Sequence, residues 1–563
     1  MTEVRVVHQV VDLREAYDVQ AYDLALEVDG QGPNWSGRVT VELQVGEKAI
    51  PNLYLDAGSG LTIQGCSWST GSDSATIPRK FKHEDGLLAV RFPATLQAGA
   101  SGTLHVRFTG KSLHSDRRRT AVHWVGSKIG PGRIDCSLQY AGAHNVFPCK
   151  SSFYHPEDVP NRSALALTVP KDWVPVGPGS KVSETPASQG YATHRFELNH
   201  PTPTWALGFA AGPYKVRRFP WKGDHDEVQV ELYRLAEHQE SFDELAHIIP
   251  GLLEHHERIF GAYPFPDHRL AIVETLAGSS ANATWIGVGS GALVPSKKAG
   301  KSKHRGRRAV RILSHELGHA WWGHGLHVGS WRDNWMHESF ASYGALLYLG
   351  QESGKEAEVD AYRRIAGEVS YKHRLAVCES GSQCSATSIN NALWFKGPWV
   401  LRTLRSQVDN DEHWFGALAD FQRQYRFQAI STDDFARVLG EHTGTPWDQF
   451  FGEWFEGSGL PSIVGTVRMD GNKLLVDLEN RKDRITTLPP SKTPRNFHLN
   501  LKLRWKEGTQ AHERKLRLKP GLNTLAIDCS REPTNVELVG LESILGPHEV
   551  EIIPLPHSGL TNR

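Results

Sequence analysis

Residues 310–322 read Val-Arg-Ile-Leu-Ser-His-Glu-Leu-Gly-His-Ala-Trp-Trp, and the meaning of this stretch governs how the rest of the chain is understood. Its apolar residues recur three and four apart, which predicts a helix. On a helix His315 and His319 stand one turn apart and face the same way, so both can hold one cation. Glu316 then lies a step around the helix, beside the coordination position the ligands leave open. Glu338, nineteen residues after His319, supplies a third ligand from a second helix-period stretch at 331–349. Gly323, Gly325 and Gly329 between them let the chain turn back. Two histidines and one carboxylate make the ligand set of a catalytic zinc with an open fourth position.

The chemistry follows from that set. Zinc acts as a Lewis acid toward a water and a carbonyl, and Glu316 is placed to take the water's proton and pass it to a leaving amine. His324, His327 and His337 crowd the same region, but three protein ligands already leave the vacancy catalysis needs, so these are expected to pack or to support the ligands. No Gly-x-Ser-x-Gly or phosphate-loop pattern competes for the function.

The composition agrees with a folded enzyme. In 563 residues, 39% are hydrophobic, 22% are charged and 17 are tryptophan, which excludes a disordered chain. Lys plus Arg equals Asp plus Glu at 63 each, so no overall field draws the chain to nucleic acid or to an anionic membrane. No apolar run reaches the length of a spanning helix, and the opening MTEVRVVHQVVDLREAYD has acids where a signal peptide would be apolar, so a cytoplasmic address is expected. The six cysteines, Cys66, Cys136, Cys149, Cys378, Cys384 and Cys529, are too few for a disulfide scaffold, and none forms a Cys-x-x-Cys pair. Cys378 and Cys384 could bridge only in an exported protein.

Outward from the motif, the hydrophobic period changes twice. Tyr22, Leu24, Leu26 and Val28, then Val39, Val41, Leu43 and Val45, then Leu104, Val106 and Phe108 alternate with polar neighbours, which predicts an antiparallel β domain over residues 1–215. Helical spacing takes over at 235–260 and recurs at 309–323, 331–349, 356–370, 397–408, 411–426 and 432–456, giving a zinc-binding catalytic domain over 216–460. Gly457-Ser-Gly-Leu-Pro461 ends that block. Strand alternation then returns, with Asp470-Gly471-Asn472 as a turn and Phe497, Leu499, Leu501, Leu503 and Trp505 on one face, for a second β domain over 461–563. The run Pro295 to Arg308 carries seven Lys or Arg and no acid. It is read as a solvated loop, with a basic lip for an acidic substrate as the sharper alternative.

The run HELGHAWWGH and the later WRDNWMHESFASY, which contains Glu338, resemble the gluzincin metallopeptidases of the aminopeptidase N and leukotriene-hydrolase type. The likeness extends to Phe147-Pro148-Cys149, Ile259-Phe260-Gly261, Tyr263-Pro264-Phe265-Pro266, Phe395-Lys396-Gly397-Pro398-Trp399-Val400-Leu401 and Phe451 to Pro461, and covers roughly residues 15–465. It implies a multidomain α+β fold: an N-terminal antiparallel β saddle, a thermolysin-like, mainly helical catalytic domain and a C-terminal β sandwich, here without the family's C-terminal helical domain. It also implies zinc as cofactor, with His315, His319 and Glu338 as ligands, Glu316 as general base and a peptide or peptide-like substrate. A monomer or small homo-oligomer is expected.

Two positions depart from the family pattern. Aminopeptidase members carry Gly-x-Met-Glu-Asn, whose glutamate binds the substrate's free amine. Its counterpart here is Gly278-Ser279-Ser280-Ala281-Asn282. A methyl group at Ala281 removes a charge-assisted contact of about 1.5 to 3 kcal/mol. Glu274 is a candidate substitute and Gln139 a second candidate for an amine contact. The family's transition-state tyrosine lies two residues before a Lys-Gly pair. Counting back from Lys396-Gly397 gives Trp394, whose indole is one donor but not a phenol, and losing such a donor costs roughly 2.7 to 4 kcal/mol. Tyr343, Tyr348, Tyr362 and Tyr371 are possible replacements. The leading expectation is a zinc-dependent peptidase, aminopeptidase-like with altered N-terminal recognition. The alternatives are a zinc hydrolase of a modified or non-peptide substrate and a zinc-containing scaffold or binding protein without turnover.

Overall fold

A computed structural model describes residues 14–553, except 29, 31, 72–75, 112–121, 126–131, 139–141, 189, 225, 277, 290–301, 370–374, 376–391, 458, 483–496 and 547. The chain has the multidomain α+β fold expected from its hydrophobic patterning, β-rich at both ends and helical between. By packing it divides into two units, Met1–His337 with Glu379–Ser385 and Gln422–Ser431, and the remainder.

The first unit opens with a ten-stranded sheet. Its order is Ser180–Pro186, Tyr191–Leu198, Arg162–Pro170, Tyr17–Val28, Asn34–Val45, Ser101–Lys111, Leu61–Ser69, Ile77–Glu84, Leu87–Leu96 and Ile50–Asp56. The alternation read from the sequence is the burial pattern: Val39, Val41, Leu43 and Val45 are all buried. One pair departs from the antiparallel expectation. Tyr17–Val28 runs parallel to Arg162–Pro170, a pairing that the long stretch of chain between them permits. A second sheet joins Val174–Val176, Phe209–Gly212, Arg133–Cys136 and Val122–Val125. The Phe147-Pro148-Cys149 segment closes onto the large sheet, where Cys149 and Asp56 exchange backbone hydrogen bonds of 2.8 and 3.0 Å.

Past Gly212 the strands change sheet. Lys215–Lys222, Glu227–Arg234, Leu270–Thr275, Trp285–Gly289 and Ser280–Asn282 form a five-stranded sheet in that order. The sequence reading missed this sheet inside a block it called helical. Leu270–Thr275 and Trp285–Gly289 are buried at every position, and a strand covered on both faces shows no alternation. Helix α1, Gln239–Phe260, interrupts the sheet's strand order in sequence, and α2, Ser302–Gly318, carries the His-Glu-x-x-His motif. The basic run therefore does not end as a loop before a helix: its last seven positions, 302–308, are already helical, and 295–301 lie outside the described residues.

Among the described residues six more helices follow: α3 Trp335–Ser353, α4 Lys355–Ala366, α5 Gly397–Val408, α6 Asp411–Tyr425, α7 Thr432–Thr443 and α8 Asp448–Trp454. The helix expected over 432–456 is two helices, broken where Gly444 takes φ +65° and Pro446 follows. The division between the two units runs through α3 itself, between His337 and Glu338. Beyond Pro461 the second unit consists of a four-stranded sheet (Gly521–Asp528, Lys473–Lys482, Pro461–Asp470, His548–Ile553) and a three-stranded one (Gln510–Leu518, Leu499–Glu507, Pro533–Val539). Gly471 turns the hairpin at φ +57°, and Leu499, Leu501, Leu503 and Trp505 are buried on one face as their alternation requires.

Candidate metal centre

Helix α2 is held in place from both sides by groups close to its histidines. Nε2 of His256, on α1, donates to the Ser314 carbonyl at 2.8 Å, one residue before His315. Past the helix end, Trp321 donates its indole N–H to the Gly261 carbonyl at 2.8 Å, and Trp322 packs edge-on against Phe260 with ring centroids 5.6 Å apart. The landmark segments Ile259-Phe260-Gly261 and Ala320-Trp321-Trp322 are thus one packing unit, and they fix the motif helix against α1.

The two motif histidines face one point, with their Nε2 atoms 3.2 Å apart and rings nearly perpendicular at 82°. Nδ1 of His319 lies 3.0 Å from the Trp322 carbonyl. A carbonyl can only accept, so Nδ1 carries the proton and Nε2 presents its lone pair. Gly323, at φ +132°, lets the chain leave the helix so that this carbonyl turns back toward the ring. Glu338 sits in the first turn of α3 and is buried, as is His319. His315, His319 and Glu338 each offer one ligand atom, and these atoms lie within 4.8 Å of one another. The donors fit a zinc ion: two nitrogens each about 2.0 to 2.1 Å from a tetrahedral centre stand roughly 3.3 Å apart, close to the separation seen. Glu316 is partly buried on the same turn of α2 as His315.

Trp394 lies in a π-helical turn, Ala392–Lys396, that runs straight into α5. Its single indole N–H is donated to Oε2 of Glu338 at 2.6 Å. The adjoining Gly397 explains how this turn approaches α3 so closely. A Cβ there would sit 1.7 Å from Oγ of Ser339, the residue after Glu338, and that hydroxyl in turn donates to the Leu393 carbonyl at 2.9 Å. Lys396 is fully buried, and burial pushes its ammonium down to about 8.

Residues 245–454 match the family model described as the peptidase family M1 domain. Over these residues the chain is similar to the M1 peptidases, as a divergent sequence. It is 22% identical over 479 residues to a puromycin-sensitive aminopeptidase of Caenorhabditis elegans, covering 80% of this chain and 48% of that one. It is 24% identical over 470 residues to aminopeptidase M1-B of Oryza sativa subsp. japonica, covering 81% and 51%, and 23% identical over 387 residues to a human glutamyl aminopeptidase, covering 65% and 38%. The chain thus spans about half or less of these relatives' length. Among crystal structures, a mutant M1 zinc metallopeptidase from Deinococcus radiodurans superposes with a TM-score of 0.63 at 21% identity, over 79% of this chain and 96% of that one.

In this chain the segment counted as the amine-binding counterpart is described from Gly278, which takes φ +107°, onward. Ser280–Asn282 is the edge strand of the five-stranded sheet, pairs with Trp285–Gly289 and runs beside α2. Ser279 and Ser280 are partly exposed, while Ala281 and Asn282 are buried. Gly208 leaves room for Asn282, since a Cβ there would meet its Oδ1 at 2.2 Å. Gln139 lies outside the described residues.

Glu274 is fully buried in the centre of that sheet, where its carboxylate accepts from the Leu235 backbone N–H at 2.9 Å and pairs with His238 Nδ1 at 2.6 Å. Tyr343, Tyr348 and Tyr362 are buried, Tyr343 accepting from Trp414 at 3.1 Å, and Tyr371 lies outside the described residues. His324 and His337 pack on Trp205 with centroids 5.1 and 5.8 Å away, and His327 is buried and held down to about 4 by that burial. Sequence reasoning missed the Trp322 carbonyl, a backbone group that no residue pattern marks. It reached Trp394 by counting from Lys396-Gly397, but no spacing announces that the indole meets Glu338.

Proposed function

We propose that this chain is a zinc-dependent metallopeptidase that hydrolyses peptide or related amide bonds, aminopeptidase-like with altered recognition of the N-terminus. The observation that carries the reading is the paired Nε2 geometry of His315 and His319, with the His319 tautomer set by the Trp322 carbonyl and Glu338 within ligand reach. A zinc ion held by these three side chains supplies Lewis-acid polarisation of the scissile carbonyl and of the attacking water. Glu316 accepts that water's proton and delivers it to the leaving nitrogen. Trp394 acts through Glu338: by donating to Oε2 it fixes which carboxylate oxygen faces the histidines, so it is a positioning residue here.

Altered amine recognition is supported by two side chains. Ala281 offers a buried methyl where a carboxylate would bind an ammonium, and both oxygens of Glu274 are already engaged by Leu235 and His238. The domain assignment that goes with this reading is 1–215, 216–460 for catalysis and 461–563. It is supported by the change of sheet after Gly212 and by the strand that begins at Pro461. A cytoplasmic address is supported by four buried free thiols, Cys66, Cys136, Cys149 and Cys529. Among the described residues no helix is long and apolar enough to cross a membrane.

The test is turnover of amino-acid anilides beside the same amides with a blocked amine, for the zinc-loaded wild type and for Glu316→Gln. Hydrolysis should fall by roughly 10²- to 10⁴-fold in the variant while zinc stays bound, and blocking the amine should not lower the wild-type rate. Undiminished hydrolysis by Glu316→Gln would remove the assigned proton carrier. A rate that collapses on blocking would restore ordinary amine recognition.

A further inference from the structure

A second group of two imidazoles and one carboxylate lies in the first unit. His200 follows the strand Tyr191–Leu198, while Asp267 and His268 follow Tyr263-Pro264-Phe265-Pro266 and precede the strand Leu270–Thr275. One ligand atom from each of the three lies within 4.8 Å of the others. Nε2 of His200 is 2.8 Å from each oxygen of Asp267.

A simple His–Asp ion pair accounts for His200 and Asp267 but not for His268. The His268 side chain is only 5% exposed, and its buried Nε2 has no hydrogen-bond partner while lying 3.7 Å from Oδ2 of Asp267. That separation is too long for a hydrogen bond, and an unmet buried nitrogen costs about 1 to 3 kcal/mol. At the other side of the ring, Nδ1 is 2.8 Å from Oγ of Ser180, a hydroxyl that can accept its proton and leave the Nε2 lone pair aimed at the carboxylate. The surroundings are stiff: His200 stacks on Phe427 with centroids 4.2 Å apart at 12°, and the two imidazoles meet at 86°. Two imidazole nitrogens and one carboxylate, with a hydroxyl orienting one ligand from behind, suit zinc, cobalt or nickel rather than magnesium or calcium. Arg426 and Arg269 lie within electrostatic reach of this group.

We propose that His200, Asp267 and His268 form a second divalent transition-metal site, distinct from the His315, His319 and Glu338 centre. An ion there joins two segments 67 residues apart in the chain, one leaving the large β sheet and one entering the five-stranded sheet. The proposal does not depend on the peptidase reading.

The full-length protein is stripped with chelator and titrated with zinc against a chromophoric competitor, as wild type, His200→Ala, Asp267→Asn and His319→Ala. Asp267 is 53% exposed, so its amide is a mild change. Wild type should bind a tight and a weaker equivalent. Both His200→Ala and Asp267→Asn should lose the weaker one, by at least about tenfold in Kd, while keeping the tight one and full amide hydrolysis. His319→Ala should show the reverse. Uptake of a single equivalent that His319→Ala abolishes, or a weaker equivalent that survives in both His200→Ala and Asp267→Asn, overturns the proposal and leaves the catalytic centre standing. Loss of the weaker equivalent alone with no tight one would do the opposite.

Discussion

The molecule carries two clusters with the same donor set and different construction. At His315, His319 and Glu338, two ligands share one helix and are one turn apart, the third sits in the first turn of the following helix, and the supporting groups are a backbone carbonyl and a partly buried indole. At His200, Asp267 and His268 the ligands come from two connecting segments, the support is a single hydroxyl, and the carboxylate is half exposed and already hydrogen-bonded to one of its partner imidazoles. At the first cluster the two Nε2 atoms already stand side by side, 3.2 Å apart. Binding at the second must break the His200–Asp267 pair first, and that competition weakens it.

The contrast is broken most severely by His319→Ala. Removing one of three ligands from the helical cluster should abolish tight zinc binding and amide hydrolysis together, while the loop-built cluster still takes up its weaker ion; metal analysis after dialysis reads both. A variant that keeps the tight equivalent would place it elsewhere.

Trp394→Phe comes next in size. It keeps the ring and deletes the donor to Glu338, so zinc affinity should fall by roughly 10- to 100-fold, with turnover recovering when zinc is raised. If turnover stays low at saturating zinc with affinity unchanged, the indole works on the substrate and not on Glu338. The smallest effect is expected from Ser180→Ala, which takes the hydroxyl from His268. It should weaken only the second equivalent, by severalfold, and leave hydrolysis untouched, as a competition titration beside an anilide assay would record.

How much of this was legible in the sequence follows the same divide. The helical cluster could be read because its geometry is local: a spacing of four residues on a helix determines where two imidazoles point, and one further glutamate was within reach. The loop cluster could not be read, since nothing in Pro266-Asp267-His268 indicates that His200 will fold against it. The β domains announced themselves wherever one face is solvated, as in Leu499 to Trp505. Leu270–Thr275 and Trp285–Gly289 did not, because burial on both faces erases the period. The start of α2 was placed seven residues late, at 309, because the Lys and Arg of 302–308 hide any apolar stripe. Trp394 was found by position, yet its partner depends on the close approach of Gly397 to Ser339, a tertiary contact with no signature in the chain.

Anomalous diffraction at the zinc edge from crystals of the zinc-loaded protein would locate the ion. The strongest peak should fall between Nε2 of His315, Nε2 of His319 and the Glu338 carboxylate, with any weaker one at Asp267. Absence of a peak at the helical cluster in protein that hydrolyses amides would contradict the account.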